Sequence, residues 1–191
     1  SKRMPSGRNN FIGVWENGVY IGVVIYGHSI GPYIGKAFGL DNMTCYELRR
    51  VALADHKNSV SKIVSITIKM IKKKYPNARL LISYADPEHS HVGGIYQAMN
   101  WLYVGESTSM TQLLINGRYR NDRNANSNYK HLAQGSRKSL PKYKYLYPLD
   151  DAMRKQIEPL RKPYPKRVSG ETDNAPGSNR ETGGASPTET L

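Results

Sequence analysis

Apolar side chains cluster most densely between positions 79 and 85. Arg79-Leu80-Leu81-Ile82-Ser83-Tyr84-Ala85 is a short apolar run bounded by polar residues, which predicts a central strand. Asp86-Pro87 ends it, because proline has no N–H to give to a ladder. After a loop, Gly93-Gly94 opens a short predicted helix over Ile95 to Asn100, and Trp101-Leu102-Tyr103-Val104 returns as a strand in which Trp101 and Tyr103 read as core. Upstream, Phe11 to Trp15 and Val19 to Ile25 flank Glu16-Asn17-Gly18. Asn-Gly between apolar strands predicts a hairpin, since both residues tolerate positive φ. His28 to Gly39 reads as a glycine-rich loop, and Cys45 to Leu53 as a further strand. From Ser59 to Tyr75, residues Val60, Ile63, Val64, Thr67, Ile68 and Ile71 recur at helical spacing, predicting an amphipathic helix. Asn58 or Ser59 caps its start, Lys72-Lys73-Lys74 suit the negative end of its dipole, and Pro76 follows. Its many β-branched residues leave a strand as the competing reading. Strand, helix, strand, short helix, strand after an antiparallel hairpin is a mixed α/β pattern.

Charge divides the chain differently. Of 28 basic and 15 acidic residues, Ser169 to Leu191 holds one base and four acids, leaving 27 against 11 in residues 1–168, a net +16. Such an excess points to a polyanionic partner, nucleic acid first and an acidic membrane surface second; the plain alternative is a basic soluble protein without one. The surplus concentrates in Gly117 to Arg167, with fourteen Lys or Arg, four acids, and tyrosines interleaved from Tyr119 to Tyr164. Cations neutralise phosphates and aromatic rings stack on exposed bases. The same residues also suit a solvated extension whose tyrosines dock on the core. Ser169 to Leu191, rich in Gly, Ser, Thr, Pro and Glu, is expected to be disordered. The domain reading is therefore 1–116 catalytic, 117–168 basic extension and 169–191 tail. Cys45 is the one cysteine in 191 residues, which excludes an internal disulfide and a cysteine-rich zinc site and favours a reducing compartment. No apolar run approaches the roughly 20 residues of a membrane span, and no secretory leader is visible, so the expected location is cytoplasmic.

Candidate chemistry gathers where strands end. In open α/β sheets ligands collect outside the carboxyl ends of the strands, which is where Asp86 falls; its bland role is to cap the following turn. The free amides of a helix start favour an anion near Gly93-Gly94. Arg49 and Arg50 on one strand, followed by Asn58, Ser59 and Ser61 at a helix start, can hold a phosphate-rich cofactor, although capping alone explains Asn58 and Ser59. Asn100 can read a base edge or end its helix. His89 and His91 with Asp86 carry donor types that suit iron, zinc or manganese, on a loop spacing that is weak evidence. His28 and His56 carry no readable role.

Several segments together resemble a known family. Ser83-Tyr84-Ala85-Asp86-Pro87, then His91, Gly93, Ile95-Tyr96-Gln97-Ala98, Asn100-Trp101, Tyr103 and Gly105 look like the signature of the bacteriophage Mom family, DNA-adenine modification proteins related in fold to the GNAT-like N-acetyltransferases. GVWENGVYIGVVIYG, IGKAFGL, ELRRVAL, KNSVSK and TQLLINGRYR occur in the same family-like order. The resemblance covers roughly residues 3–120. It implies an α/β fold with a mixed, centrally antiparallel-to-parallel sheet of the N-acetyltransferase type, flanking helices and a basic C-terminal extension. It implies a transferase acting on the N6 amine of adenine in double-stranded DNA, giving a methylcarbamoyl or carbamoylmethyl adenine that protects phage DNA from restriction, in the host cytoplasm. Acetyl-CoA is the implied donor, held by Arg49, Arg50, Asn58, Ser59 and Ser61, although the Gln/Arg-x-x-Gly-x-Gly/Ala pattern typical of acetyltransferases is missing. Asp86 and Tyr96 are the implied catalytic pair, with Ser83 and Tyr84 of the same signature beside them; the carboxylate accepts a proton from the amine or orients it, and the phenol donates one to a leaving group. Asn100, Arg118, Arg120, Arg123 and Lys130 are the expected DNA contacts. Iron is a further implied cofactor, linked in the family to a His-Tyr pair expected just upstream of Ser1, so the start is expected to be that of a fragment or atypical. No membrane partner is expected, and the oligomeric state is open, a dimer included. The competing functions are an N-acetyltransferase for a small or protein amine, and a nucleic-acid-binding protein without catalysis.

Overall fold

A computed structural model of the chain describes residues 8–28, 35–41, 43–89, 91–121 and 127–166. Its first element is the expected hairpin. Strands β1 (Asn9–Glu16) and β2 (Val19–His28) turn through Asn17 at φ 49° and Gly18 at φ 80°, the left-handed pair that a tight two-residue turn requires. β3 (Cys45–Leu53) pairs antiparallel with β2. Helix α1 (Val60–Lys74) then crosses over to β4 (Leu80–Ala85), which lies parallel to β3. Ser59 Oγ accepts the Lys62 N–H at the start of α1, and Ile63, Val64, Thr67, Ile68 and Ile71 face inward, so the helical reading prevails over the strand one. Burying an aliphatic side chain of this size stabilises by about 1.5 to 3 kcal/mol, enough to override the modest helix propensity of β-branched residues.

A short helix α2 (Gly94–Ala98) and strand β5 (Leu102–Glu106) follow as expected. Strands β6 (Thr111–Ile115), β7 (Arg118–Asn121) and β8 (Gly135–Lys138) form a separate three-stranded sheet in the order β7-β6-β8. β9 (Tyr143–Pro148) inserts between β4 and β5, antiparallel to both, and completes a six-stranded sheet in the order β1-β2-β3-β4-β9-β5. Helix α3 (Asp151–Ile157) follows and runs into a 3-10 turn over Glu158–Leu160. The fold is thus mixed α/β.

The central sheet is buried on both faces. One face packs Tyr26, Tyr46, Leu81, Trp101 and Tyr145 against the apolar stripe of α1. The other packs Cys45, Leu80, Ile82 and Leu146 against Phe38, Leu40 and the α3 residues Met153 and Ile157. Trp101 is fully buried and Tyr103 nearly so, as expected of core residues. Where the sequence sets residues 117–168 apart as an extension, the structure runs 143–148 through the middle of the main sheet, with Tyr145 and Leu146 at zero exposure. The expected tail, 169–191, lies outside the described residues, and among those described no helix is long and apolar enough to cross a membrane.

Candidate functional site

β3 and β4 part company at their carboxyl ends. Their parallel pairing covers Cys45–Leu80, Tyr46–Leu81 and Glu47–Ile82 and stops, while β3 continues along β2 to Leu53 and β4 along β9 to Ala85. In the parting, the Leu48 carbonyl is met by a side chain: Ser83 Oγ donates to it at 2.7 Å. A serine hydroxyl has one proton. With that proton given to Leu48, the 2.7 Å bond between Ser83 Oγ and the Tyr96 hydroxyl must be donated by Tyr96. The result is a directed chain, Tyr96 O–H to Ser83 O–H to the Leu48 carbonyl. Burial pushes the Tyr96 phenol above its ordinary value, so at neutral pH it keeps its proton.

Tyr96 is placed by packing from β9. Gly93, at φ 80°, sits so close under the Tyr145 ring that a Cβ there would lie 2.5 Å from it. The Tyr145 hydroxyl donates to the Val92 carbonyl at 2.6 Å, and Gln97 Nε2 donates to the same oxygen at 3.1 Å. These bonds fix the start of α2. The Tyr96 ring is then held between Trp101 and Tyr145, with centroids 5.1 and 4.9 Å away.

Strand alternation turns Ser83 and Tyr84 to opposite faces of the sheet. Tyr84 stands directly across the ladder from Lys144, and burial, with Glu47 nearby, pushes its phenol up to about 12. Burial also lowers the Lys144 ammonium. Asp86 lies just past the end of β4, where its Oδ2 pairs with Lys142 Nζ at 2.7 Å and its Oδ1 accepts the Glu88 N–H at 3.1 Å. It therefore caps the following turn and also carries an ion pair, with about a quarter of its side chain exposed. The structure brings Ser83 and Tyr96 into contact, turns Tyr84 to the other face, and engages Asp86 with a cation that the sequence did not single out. Lys142 and Tyr145 were hidden in the basic, tyrosine-rich segment, whose alternation of Tyr143, Tyr145 and Tyr147 is the strand signal that reveals them.

Most of the residues expected to hold acetyl-CoA are otherwise engaged. Glu16, at the hairpin turn, takes the Lys57 and Asn58 backbone N–H groups, both at 2.8 Å, and Asn58 Nδ2 at 2.6 Å. Those bonds hold its carboxyl well below the usual range, at about 2. Ser59 Oγ caps Lys62 and lies 3.2 Å from Ser61 Oγ. A bulge in the β2–β3 register leaves Arg49 as the extra residue, and its buried guanidinium bonds Asn9 Oδ1 and the His28 carbonyl beside Glu47. Arg50 is half-buried opposite Ile25. With a carboxylate already on the amides before α1, this arrangement does not fit a pyrophosphate, because two anions would share one set of donors. Iron lacks a visible cage as well: no group of three His, Cys, Asp or Glu able to hold a metal occurs among the described residues, and the His89 side chain lies outside them.

Asn100 ends α2 at φ 55° with an exposed side chain, the role that the plain reading gave it. Arg118, Arg120 and Lys130 are exposed, and Arg123 falls outside the described residues. An open groove of about 540 Å³, lined by Lys69, Lys72, Tyr147, Asp150 and Arg154 among others, lies at the opposite end of β4 from Asp86.

A sequence model of the Mom protein family matches residues 1–166 of the chain. Over 113 residues the chain is 31% identical to the protein named "Methylcarbamoylase mom" of Escherichia phage Mu, a stretch covering 57% of this chain and 47% of that relative. The chain thus spans about half the length of the curated relative it matches.

Proposed function

The chain belongs to the Mom protein family, and from that membership, together with the hydroxyl pair at the parted strand ends, we propose that it is a DNA-modifying transferase whose target is the N6 amine of adenine. The family match over residues 1–166 carries this reading. The Mu relative is named a methylcarbamoylase, and transfer of a methylcarbamoyl-type group, protecting DNA from restriction, is the corresponding activity here. A GNAT-like reading of the sheet belongs to the same proposal, supported by the parallel β3–α1–β4 unit and its parting ends.

In double-stranded DNA the adenine amine is engaged in base pairing, so the base must be extruded, at a cost of a few kcal/mol in unstacking and unpairing. Asp86, steadied by Lys142, accepts a hydrogen from the exocyclic amine and aligns it. Tyr96 keeps its proton at neutral pH and serves as a hydrogen-bond donor once substrate draws its hydroxyl away from Ser83. Ser83 then retains its bond to Leu48, so the parted strands stay bridged as the phenol turns.

Mass spectrometry of nucleosides from the DNA of cells expressing the protein tests the proposal. The expected result is an adenosine species heavier by a methylcarbamoyl-type group. Unmodified adenine throughout would overturn the assignment.

A further inference from the structure

The small sheet has two chemically unlike faces. Residues directly opposed in an antiparallel ladder share a face. The pairs Ile115–Arg118 and Leu113–Arg120 on one side of β6, and Thr111–Lys138 on the other, therefore put Arg118, Arg120 and Lys138 on a single face. All three are exposed. β6, β7 and β8 contain no acidic residue, and no described carboxylate pairs with any of the three cations. The hydroxyl of Thr111, on the same face, accepts from Lys138 Nζ at 3.0 Å.

The opposite face holds Gln112, Tyr119 and Arg137, and its one cation is fully committed. Arg137 Nε donates to Gln112 Oε1 at 2.8 Å, its guanidinium lies 4.1 Å from the centroid of the Tyr119 ring, and its NH2 group reaches Glu88 at 3.3 Å. Glu88 also accepts the Leu140 N–H at 3.2 Å. Glu88 lies two residues beyond Asp86, so this face is what fastens the small sheet to the turn after β4.

Resting on the DNA reading above, we propose that Arg118, Arg120 and Lys138 form the surface that contacts the phosphate backbone of duplex DNA, and that Arg137 contacts no DNA but fixes the sheet beside the strand end. Strand geometry spaces Arg118 and Arg120 about 7 Å apart, with Lys138 two strands away, about 10 Å. Exposed cations spread over that distance, beside the buried Ile115 and half-buried Leu113 that share their face, suit a run of phosphates rather than one small anion, since a duplex carries one charge per roughly 1.7 Å of axis. Like charges crowded without a carboxylate repel one another, and a polyanion relieves that repulsion.

The experiment measures binding of a mixed-sequence DNA duplex by fluorescence anisotropy at a series of salt concentrations. Each phosphate contact contributes about 0.9 to the slope of log affinity against log salt. Neutralising all three residues (R118Q/R120Q/K138Q) is expected to flatten the slope by about 2.7 and R118Q alone by about 0.9, with melting temperatures unchanged. R137Q removes the same unit of charge yet is expected to keep the wild-type slope while lowering the melting temperature. A triple variant with the wild-type slope, or an R137Q slope that falls as far as that of R118Q, overturns the assignment of faces and leaves the adenine reading standing. A wild-type protein that does not bind the duplex overturns both.

Discussion

Ser83 has one proton and two demands on it, and that scarcity gives the site its direction. Replacing Ser83 by Ala leaves the Leu48 carbonyl in the parting without its donor, a loss expected to cost about 1 to 3 kcal/mol. Tyr96→Phe removes a donor from Ser83 but keeps the ring between Trp101 and Tyr145, and is expected to cost about 1 kcal/mol. Denaturant melts of the two variants check the order: if Y96F proves the more destabilised, the Ser83–Leu48 bond is not what bridges the parted strands. Gly93→Ala forces a Cβ into the Tyr145 ring at φ 80°, and is expected to destabilise by more than about 1 kcal/mol. Asp86 at a strand's end and the glycines before α2 were legible, because proline and glycine act through the local chain. The partner of Ser83 was not, since a carbonyl left open by parting strands is a tertiary fact.

Elements with strong local signals read correctly. The hairpin followed from Asn17-Gly18, and α1 from its apolar stripe and serine cap. In β9 a charged, aromatic composition of the kind that suits a stacking surface overlies a period of two; buried in the sheet centre, Tyr145 and Leu146 complete a core that the domain reading ends at residue 116, although tyrosines docked on that core are among the readings the segment's sequence allows. Asp150 joins that late segment to β4, capping α3 through the Met153 N–H at 2.7 Å and pairing with Arg79 Nε at 2.9 Å. Those bonds, Arg79 foremost, hold its carboxyl at about 2 against an ordinary 3.8. A folded pKa depressed in this way contributes stability above pH 3.8 that is lost as pH falls toward 2. Asp150→Asn keeps the cap and removes the pair, so its deficit in melting temperature at pH 7 is expected to be small and to vanish by pH 2. Asp150→Ala is expected to lose about 1 kcal/mol more at every pH. Melts of the three proteins across pH decide it, and a constant D150N deficit would exclude the ion pair as the cause.

Across the whole molecule, a net charge of +13 surrounds a central sheet whose parted ends carry the hydroxyl chain and whose turn after β4 is fastened to a basic second sheet. The charge was legible from composition; its division into a free face and a fastening face needed the register of β6, β7 and β8. Binding and chemistry are therefore expected to separate by residue. The most direct measurement is nucleoside mass spectrometry on DNA from cells expressing the wild type, D86N or Y96F, each protein also checked for duplex retention. Modified adenine with the wild type, and its loss in both variants while each still holds DNA, is the predicted result; full modification by D86N and Y96F would contradict the account.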